Sequence, residues 1–329
     1  MSSQPPARVA VLSALGTDVV ATALRRLPGT EVIEARSEAE LLGRLDGAAV
    51  LVIMGQMYSA AIARALHDIT SARLIQLLTA GYDRLEQCGV PAHVQVATAG
   101  PSRSPAVAEH AMALLLSWVR NLPQAHAAQQ ERRWRAEVRS GLGSLLDSTL
   151  LVVGFGSIGQ ELAARASAFG ARVEGVNRTG RPHPLAQRMY TPDQLPQALA
   201  GADFVVLALP STAQTRGLLG AEQLAAMKRS AVLVNVGRGD AVDTGALVAA
   251  LQDRRIRAAA LDVVDEEPLP ADSPLWALDN AVITPHVGGI GGRVGHEILA
   301  RFVTENVARV LAGEPPSHRV ASENFTSVA

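Results

Sequence analysis

Short strand-like runs, mostly apolar, alternate along this chain with stretches whose apolar positions recur every three or four residues. In residues 1–100 the runs read RVAVLS (8–13), EVIEA (31–35), AAVLVIMG (48–55), ARLIQLLTAG (72–81) and VQVATA (94–99). Helical spacing fills Thr17–Leu27, Ser37–Leu45 and Ser59–Leu66 between them. Apolar runs separated by helices predict parallel strands covered on both faces. The segment PSRSPAVAEHAMALLLSWVRN (101–121) reads as a helix starting near Pro105 that crosses between domains, and Glu131–Gly143 as an irregular polar stretch over the surface.

The alternation resumes with LVVGFGSIG (151–159), ARVEGVN (171–177), GADFVVLALP (201–210), SAVLVNVG (230–237), AAALDVV (258–264) and AVITPHVGG (281–289), six strands counted from Leu150, with a helix over Thr244–Asp253. A final helix, Gly291–Leu311, carries Ile298, Leu299, Phe302, Val303, Val307 and Val310 on one stripe. That helix follows a completed sheet and needs an apolar surface to cover, which the first domain supplies. The expectation is therefore a discontinuous substrate (catalytic) domain, 1–100 with 287–329, around a dinucleotide-binding domain, 101–286, with two crossings as a hinge and a cleft between the domains. The fold class is α/β: two doubly wound parallel-sheet domains, a Rossmann domain inserted into a flavodoxin-like one.

The dinucleotide reading rests on Gly154, Gly156 and Gly159, which stand between an apolar run and the helical spacing of ELAARASAFG. The first permits a sharp turn, the second lets the backbone approach a pyrophosphate, and the third lets helix and strand pack closely. Free amides of a helix starting near Ser157, with Ile158 following, would hold the anion.

Composition narrows the picture. A chain of 329 residues, 48% hydrophobic, has core enough for about two domains, and with 3% aromatic residues that core is built of Ala, Leu and Val. A net charge of -1 offers no overall basic field to nucleic acid or an anionic membrane, and the charge run Glu131–Arg135 reads as a solvated face. Cys88, the one cysteine, excludes an intramolecular disulfide and any multi-cysteine metal site, so it reads as a structural thiol and no metal is expected. The N-terminus MSSQPPARVAVLSAL lacks the pattern of a secretory signal, and no apolar run nears the ~18 residues of a membrane span, which points to the cytoplasm. The tail ASENFTSVA (321–329) reads as unstructured.

Three polar residues follow consecutive late strands: Arg238 after VLVNVG, Glu267 in the acidic turn after ALDVV, and His286 after AVITP. Reduction of a 2-keto acid needs a cation to hold the carboxylate and polarise the ketone, a task suited to the fork of an arginine. It needs a proton for the developing alkoxide, which a histidine supplies near neutral pH. A carboxylate beside the imidazole would fix its tautomer and favour its protonated form.

LVVGFGSIG, ALPSTAQTRGLLG, LVNVGRGDAVD, AALDVVDEEPLP and VITPHVGG resemble, in order, the signatures of the D-isomer-specific 2-hydroxyacid dehydrogenases. The resemblance covers nearly the whole chain and is densest from Pro105 to Gly289. It implies a glyoxylate or hydroxypyruvate reductase-like enzyme, with Arg238 binding substrate, Glu267 orienting His286, and His286 as acid/base. It also implies that the backbone of Ala80 and Gly81, in TAGYD, receives the substrate carboxylate. Leu209, Pro210, Thr215, Val236, Gly237, Asp262, His286 and Gly288 would lie along the cofactor, and the enzyme would be a homodimer. Ser148 stands where the family usually has glycine, and Val264 where an aromatic is common. Met54, Met57 and Tyr58 read first as local packing and are otherwise the candidates for substrate specificity, and Trp134 reads either as a surface-loop anchor or, by resemblance, as an aromatic that caps a partner's site in some members. The alternatives are a nucleotide-sensing protein of the corepressor type, or a dehydrogenase of another small acid such as phosphite; formate enzymes carry an amide at the Glu267 position.

NAD-selective sites place an acid about 20 residues past the glycines, against the ribose 2'-hydroxyl. Here Asn177 holds that place, beside Arg178, Thr179 and Arg181. An arginine would pair with a 2'-phosphate that an acid would repel, so NADP(H) is the preferred cofactor, with NAD(H) still admissible.

Overall fold

A computed structural model describes residues 5–14 and 16–325, so the expectation for 326–329 of the tail lies outside the described residues. The described residues form two compact units, one running to Arg103 and resuming at Ile290, the other spanning Ser104–Gly289.

The first unit holds strands β1 (Ala7–Leu12), β2 (Thr30–Ala35), β3 (Ala48–Ile53), β4 (Leu74–Leu77) and β5 (Gln95–Ala97), paired in parallel in the order β2-β1-β3-β4-β5. Every residue of β3 is buried because both faces are covered. Leu51 and Ile53 face helices α2 (Glu38–Leu42) and α3 (Ala60–His67) through Leu41, Ile62 and Leu66, and the short α4 (Asp83–Cys88) adds Leu85 to the same cluster. Val50 and Val52, on the opposite side of the pleat, face α1 (Thr17–Arg25) and the closing helix Gly292–Leu311. That closing helix buries Leu299, Val303, Val307 and Val310 as its periodicity predicts. Ile298 and Phe302 are only half-buried, and the stripe includes a residue that hydrophobic patterning passes over, the fully buried Asn306. Beyond it, Ser322–Asn324 forms a helical turn and Phe325 packs edge-on against Tyr82, so this part of the tail is ordered, contrary to the expectation.

The second unit opens with α5 (Ser104–Val119) and α6 (Leu122–Gln130). It continues through β6 (Thr149–Val153), α7 (Ser157–Ala168), β7 (Arg172–Val176), β8 (Arg188–Tyr190), α8 (Leu195–Gly201), β9 (Phe204–Leu207), α9 (Ala221–Ala226), β10 (Val232–Asn235), α10 (Thr244–Gln252), β11 (Ala258–Leu261) and β12 (Ala281–Ile283). The parallel sheet runs β12-β11-β10-β9-β6-β7-β8, with strand order reversing between β6 and β9. Leu150 and Val152 face α5 and α7, while Leu151 and Val153 face α8, α9 and α10.

The sheet has seven strands rather than the six expected. The additional strand, β8, reads only RMY and follows a polar Pro- and Gly-containing loop, so it carries no apolar run. Its side chains hold it to the edge: Tyr190 donates its hydroxyl to Glu174 Oε2 at 3.0 Å, and the Arg188 guanidinium lies 4.5 Å from the Tyr190 ring centre. In the polar stretch after α6, Ala136–Gly141 forms a 3-10 helix, and Trp134 is 96% exposed. No helix among the described residues is long and apolar enough to cross a membrane.

Candidate active site

The turn after β6 gives each glycine a separate constraint. Gly154 has φ +101° and sits so close to Ala208 that a Cβ would lie 2.5 Å from its carbonyl oxygen. A Cβ on Gly159 would collide with the carbonyl of Gly154, so α7 can start against its strand only without a side chain there. Gly156 differs: nothing lies within 4 Å of where its Cβ would be. It is also the N-cap of α7 and offers no side chain to the first helical amides. Ser157 is tied through its hydroxyl to Ser104 Oγ at 2.9 Å, and Ile158 packs on the core. An open backbone concavity at an uncapped helix N-terminus fits a dinucleotide pyrophosphate.

Leu209 joins this turn to the one after β10. Its Cδ2 would lie 3.1 Å from a Cβ on Gly154, and its backbone N and O would each lie 2.7 Å from a Cβ on Gly237. Val236 beside it is buried. Thr215 donates its hydroxyl to Pro210 O at 2.7 Å and accepts from Thr212 N–H at 2.8 Å, so its side chain shapes its own loop. After β7, Asn177 accepts the Thr179 N–H at 3.0 Å and donates to Arg181 O at 3.3 Å, forming a polar loop. Arg178 and Arg181 stand exposed on it, and neither makes an ion pair among the described residues.

His286 and Glu267 meet at 2.7 Å between Nδ1 and Oε2. An ionised carboxylate only accepts, so Nδ1 carries the hydrogen and Nε2 faces away from this pair. The Glu267 hydrogen bond raises the imidazole's pKa; burial pushes it the other way, the Glu267 charge adds to the rise, Arg238 opposes it, and Asp262 supports it. For Glu267, burial alone would raise the pKa, but the His286 bond and charge, the Val264 N–H and the Arg238 charge together hold it below the usual range. Arg238 thus acts on both members. It donates from Nη1 to Gly237 O at 2.9 Å, and its own carbonyl accepts from Asn235 Nδ2 at 2.9 Å.

Asp262, 4% exposed at the end of β11, anchors the His286 turn. Its Oδ1 accepts from Thr284 Oγ1 at 2.6 Å and Val287 N–H at 3.0 Å, its Oδ2 from Gly288 N–H at 2.9 Å, and its main-chain carbonyl from His286 N–H at 2.9 Å. His286 is held at φ +52°, the left-handed region, which costs a non-glycine residue energy that these bonds offset. Gly288 tolerates no side chain, since a Cβ would lie 2.8 Å from Asp262 Oδ2. Sequence reasoning missed His110, on α5, whose Nε2 lies 3.1 Å from Asp262 Oδ1 and 3.0 Å from Thr284 Oγ1. A lone histidine within an apolar helix gives no signal of that contact.

Ala80 and Gly81 belong to the first unit, in the turn after β4. Thr79 Oγ1 donates to Gly81 O at 2.9 Å and accepts the Gly55 N–H at 3.1 Å, which fixes the turn. The amides of Ala80 and Gly81 find no acceptor among the described residues. Tyr58 packs locally, the first of its two readings, rather than lining a substrate pocket: it is fully buried, its hydroxyl donates to Gly89 O at 3.1 Å, and burial pushes its pKa up. Met57 and Met54 pack against the two faces of the first unit's sheet, and half-buried Cys88 packs against the same core cluster as Met57. No group of three or more His, Cys, Asp or Glu set to hold a metal occurs among the described residues.

Residues 112–288 match the profile of the D-isomer specific 2-hydroxyacid dehydrogenase NAD binding domain. D-3-phosphoglycerate dehydrogenase of Methanocaldococcus jannaschii is 34% identical over 306 residues, 92% of this chain and 57% of that protein. Glyoxylate/hydroxypyruvate reductase B of Yersinia pestis is 39% identical over 211 residues, 63% of this chain and 64% of that one. The matched region therefore spans less than two thirds of either relative. A D-isomer specific 2-hydroxyacid dehydrogenase from Xanthobacter autotrophicus, solved with NADPH and MES, superposes with a TM-score of 0.83 at 31% identity, covering 97% of this chain and 99% of that one. Sequence profile, near full-length similarity and a shared architecture agree, and the chain belongs to the D-isomer specific 2-hydroxyacid dehydrogenase family.

Proposed function

We propose that this protein reduces a small 2-keto acid of the glyoxylate or hydroxypyruvate kind to the D-2-hydroxy acid, with NADPH as hydride donor. The observation that carries this reading is the 2.7 Å pair of Glu267 and His286, with the charge of Arg238 acting on both. His286 donates the proton from Nε2, Glu267 holds its tautomer, and Arg238 binds the carboxylate and polarises the ketone. The unpaired amides of Ala80 and Gly81 receive the substrate carboxylate. When bound, the dinucleotide supplies the hydride, and the protein supplies orientation and electrostatics.

Gly154, Gly156, Ser157, Ile158 and Gly159 would hold the pyrophosphate, with Leu209, Pro210, Thr215, Val236, Gly237 and Gly288 along the rest of the cofactor. Asn177, Arg178 and Thr179 would meet the 2'-phosphate. Support for NADPH comes from the uncommitted Arg178 and from the NADPH-bound relative. The proposed assembly is a homodimer, supported by the exposed Leu122, Trp134, Leu142 and Leu146 on the second unit; light scattering at the peak of a sizing column tests it.

NADPH oxidation followed at 2-keto acids of increasing side-chain size tests the activity, with turnover of none of them ruling it out. The cofactor assignment expects kcat/KM for NADPH to exceed that for NADH by about tenfold or more, and Arg178→Ala to erase most of the gap, since one charge-assisted phosphate contact is worth roughly 1.5–3 kcal/mol. Equal values in the unaltered protein would sink it.

A further inference from the structure

The molecule contains two carboxylate–imidazole pairs around one turn. Glu267 with His286 is the first; Asp262 with His110 is the second. The second lies deeper, with the Asp262 side chain 3% and the His110 side chain 21% exposed. α5 carries His110 across β10 and β11, bringing it to Thr284, which is 174 positions away in sequence.

The hydrogen inventory decides what His110 does there. The one hydroxyl proton of Thr284 is committed to Asp262 Oδ1 at 2.6 Å. Toward His110 Nε2, therefore, Thr284 presents only a lone pair, and the carboxylate presents only lone pairs as well. Nε2 must carry a hydrogen and share it between the two acceptors, at 3.1 Å and 3.0 Å. A buried carboxylate is stable only when its oxygens are supplied with donors. Here the donors are Thr284, Val287, Gly288 and His110, and three of those four belong to the turn that presents His286. His110 is the donor from outside the turn. The imidazole also lies close to the turn, since a Cβ added at Gly288 would come within 3.2 Å of His110 Cδ2.

We propose that His110 is a positioning residue for the reaction: its Nε2–H fixes the Asp262 carboxylate from which the strained His286 turn is suspended. The inference rests on the reading of His286 as proton donor. Without this hydrogen the carboxylate keeps its place less tightly, the Val287 and Gly288 amides loosen, and His286 samples orientations away from Glu267. Proton delivery then suffers more than substrate binding does.

Two variants separate the donor from the bulk: His110→Gln keeps an N–H at the end of a side chain of similar reach, and His110→Met keeps length and helix propensity without a donor. Amide hydrogen exchange at Val287 and Gly288 is measured in the full chain, alongside NADPH-dependent turnover of glyoxylate. For His110→Met, exchange at the two amides rises about tenfold, and kcat falls about tenfold while KM moves less than about twofold. His110→Gln returns both toward the unaltered values. Unchanged exchange in His110→Met, or a His110→Gln as impaired as His110→Met, overturns the proposal. If His110→Met does not fold, His110→Ala at this partly exposed position carries the same two measurements. Absence of turnover in the unaltered protein overturns the reductase reading alone, because the exchange comparison needs no substrate and still decides the role of His110.

Discussion

At the scale of single residues, the proposed chemistry concentrates on one imidazole whose state is set by three charged neighbours. Replacing His286 with Ala removes the proposed proton donor and leaves the glycine turn after β6 untouched. Turnover should fall about 100-fold or more while NADPH binding, read by its fluorescence, stays within a fewfold. The pH dependence follows from the signs already given. The proposed reduction uses the protonated imidazole, so kcat/KM should be sustained below its pKa and decline as pH rises through it. Glu267 raises that pKa through its hydrogen bond and charge. Glu267→Gln removes the charge and leaves the opposing effects of burial and Arg238, so the alkaline limb of the profile should move to lower pH. A limb that stays in place, or moves upward, would show that Glu267 does not set the proton's affinity. Arg238, Glu267 and His286 are legible in the sequence because each follows a strand end, where α/β sheets gather ligand-binding groups. His110 is not, since its meaning depends on a carboxylate that only folding brings within 3.1 Å.

At the scale of elements, the strand–turn–helix unit from β6 to α7 shows how one motif divides stability from binding. Gly154 and Gly159 are required by the fold itself, one by its φ of +101° and both by a carbonyl where a Cβ would go. Gly156 has conventional dihedrals, φ -79° and ψ -161°, and open space at its Cβ position. Gly156→Ala should therefore leave the melting temperature unchanged and raise KM for NADPH about tenfold or more, because the methyl occupies the path of the pyrophosphate. Gly159→Ala should lower the melting temperature, since α7 must move off its strand. A Gly156→Ala protein with unaltered NADPH affinity would mean that the turn is a structural feature alone. Most elements are legible at this scale: β3, β9 and β10 are buried along their whole length, and continuous apolar runs follow from that burial. β8 is illegible because an edge strand of three residues is too short to show a pattern: Tyr190 and Met189 pack on opposite sides of the sheet, and the Tyr190 hydroxyl bonds Glu174 on β7.

At the scale of the whole molecule, the first unit is completed by residues from both ends of the chain, and a buried polar node joins them. Gln76 on β4 and Asn306 on the closing helix α11 (Gly292–Leu311) are both fully buried. Asn306 donates to Gln76 Oε1 at 2.9 Å and to Ser317 O at 3.1 Å, and its own Oδ1 accepts from Ser317 N–H and Oγ–H at 2.9 Å and 2.6 Å. Gln76 in turn donates to Leu77 O and Thr98 O. The stripe of Leu299, Val303, Val307 and Val310 supplies the helix with affinity for the sheet, yet apolar contact alone does not select the helix's rotation or axial position. The amide pair does, since only one placement satisfies all these groups. Asn306→Leu keeps the volume and the apolar surroundings but leaves the fully buried Gln76 Oε1 without a partner, whereas the groups of exposed Ser317 can turn to water. An unsatisfied buried polar group costs about 1–3 kcal/mol, and the first unit loses stability on that scale. The second unit has its own two-sided core and does not share this node. Urea unfolding should accordingly resolve an early transition in the variant, with NADPH protecting the later one, because a ligand stabilises the unit that binds it. If the midpoint stayed where it is in the unaltered protein, hydrophobic packing by itself would be sufficient to seat α11, and the amide node would have no part in closing the first unit.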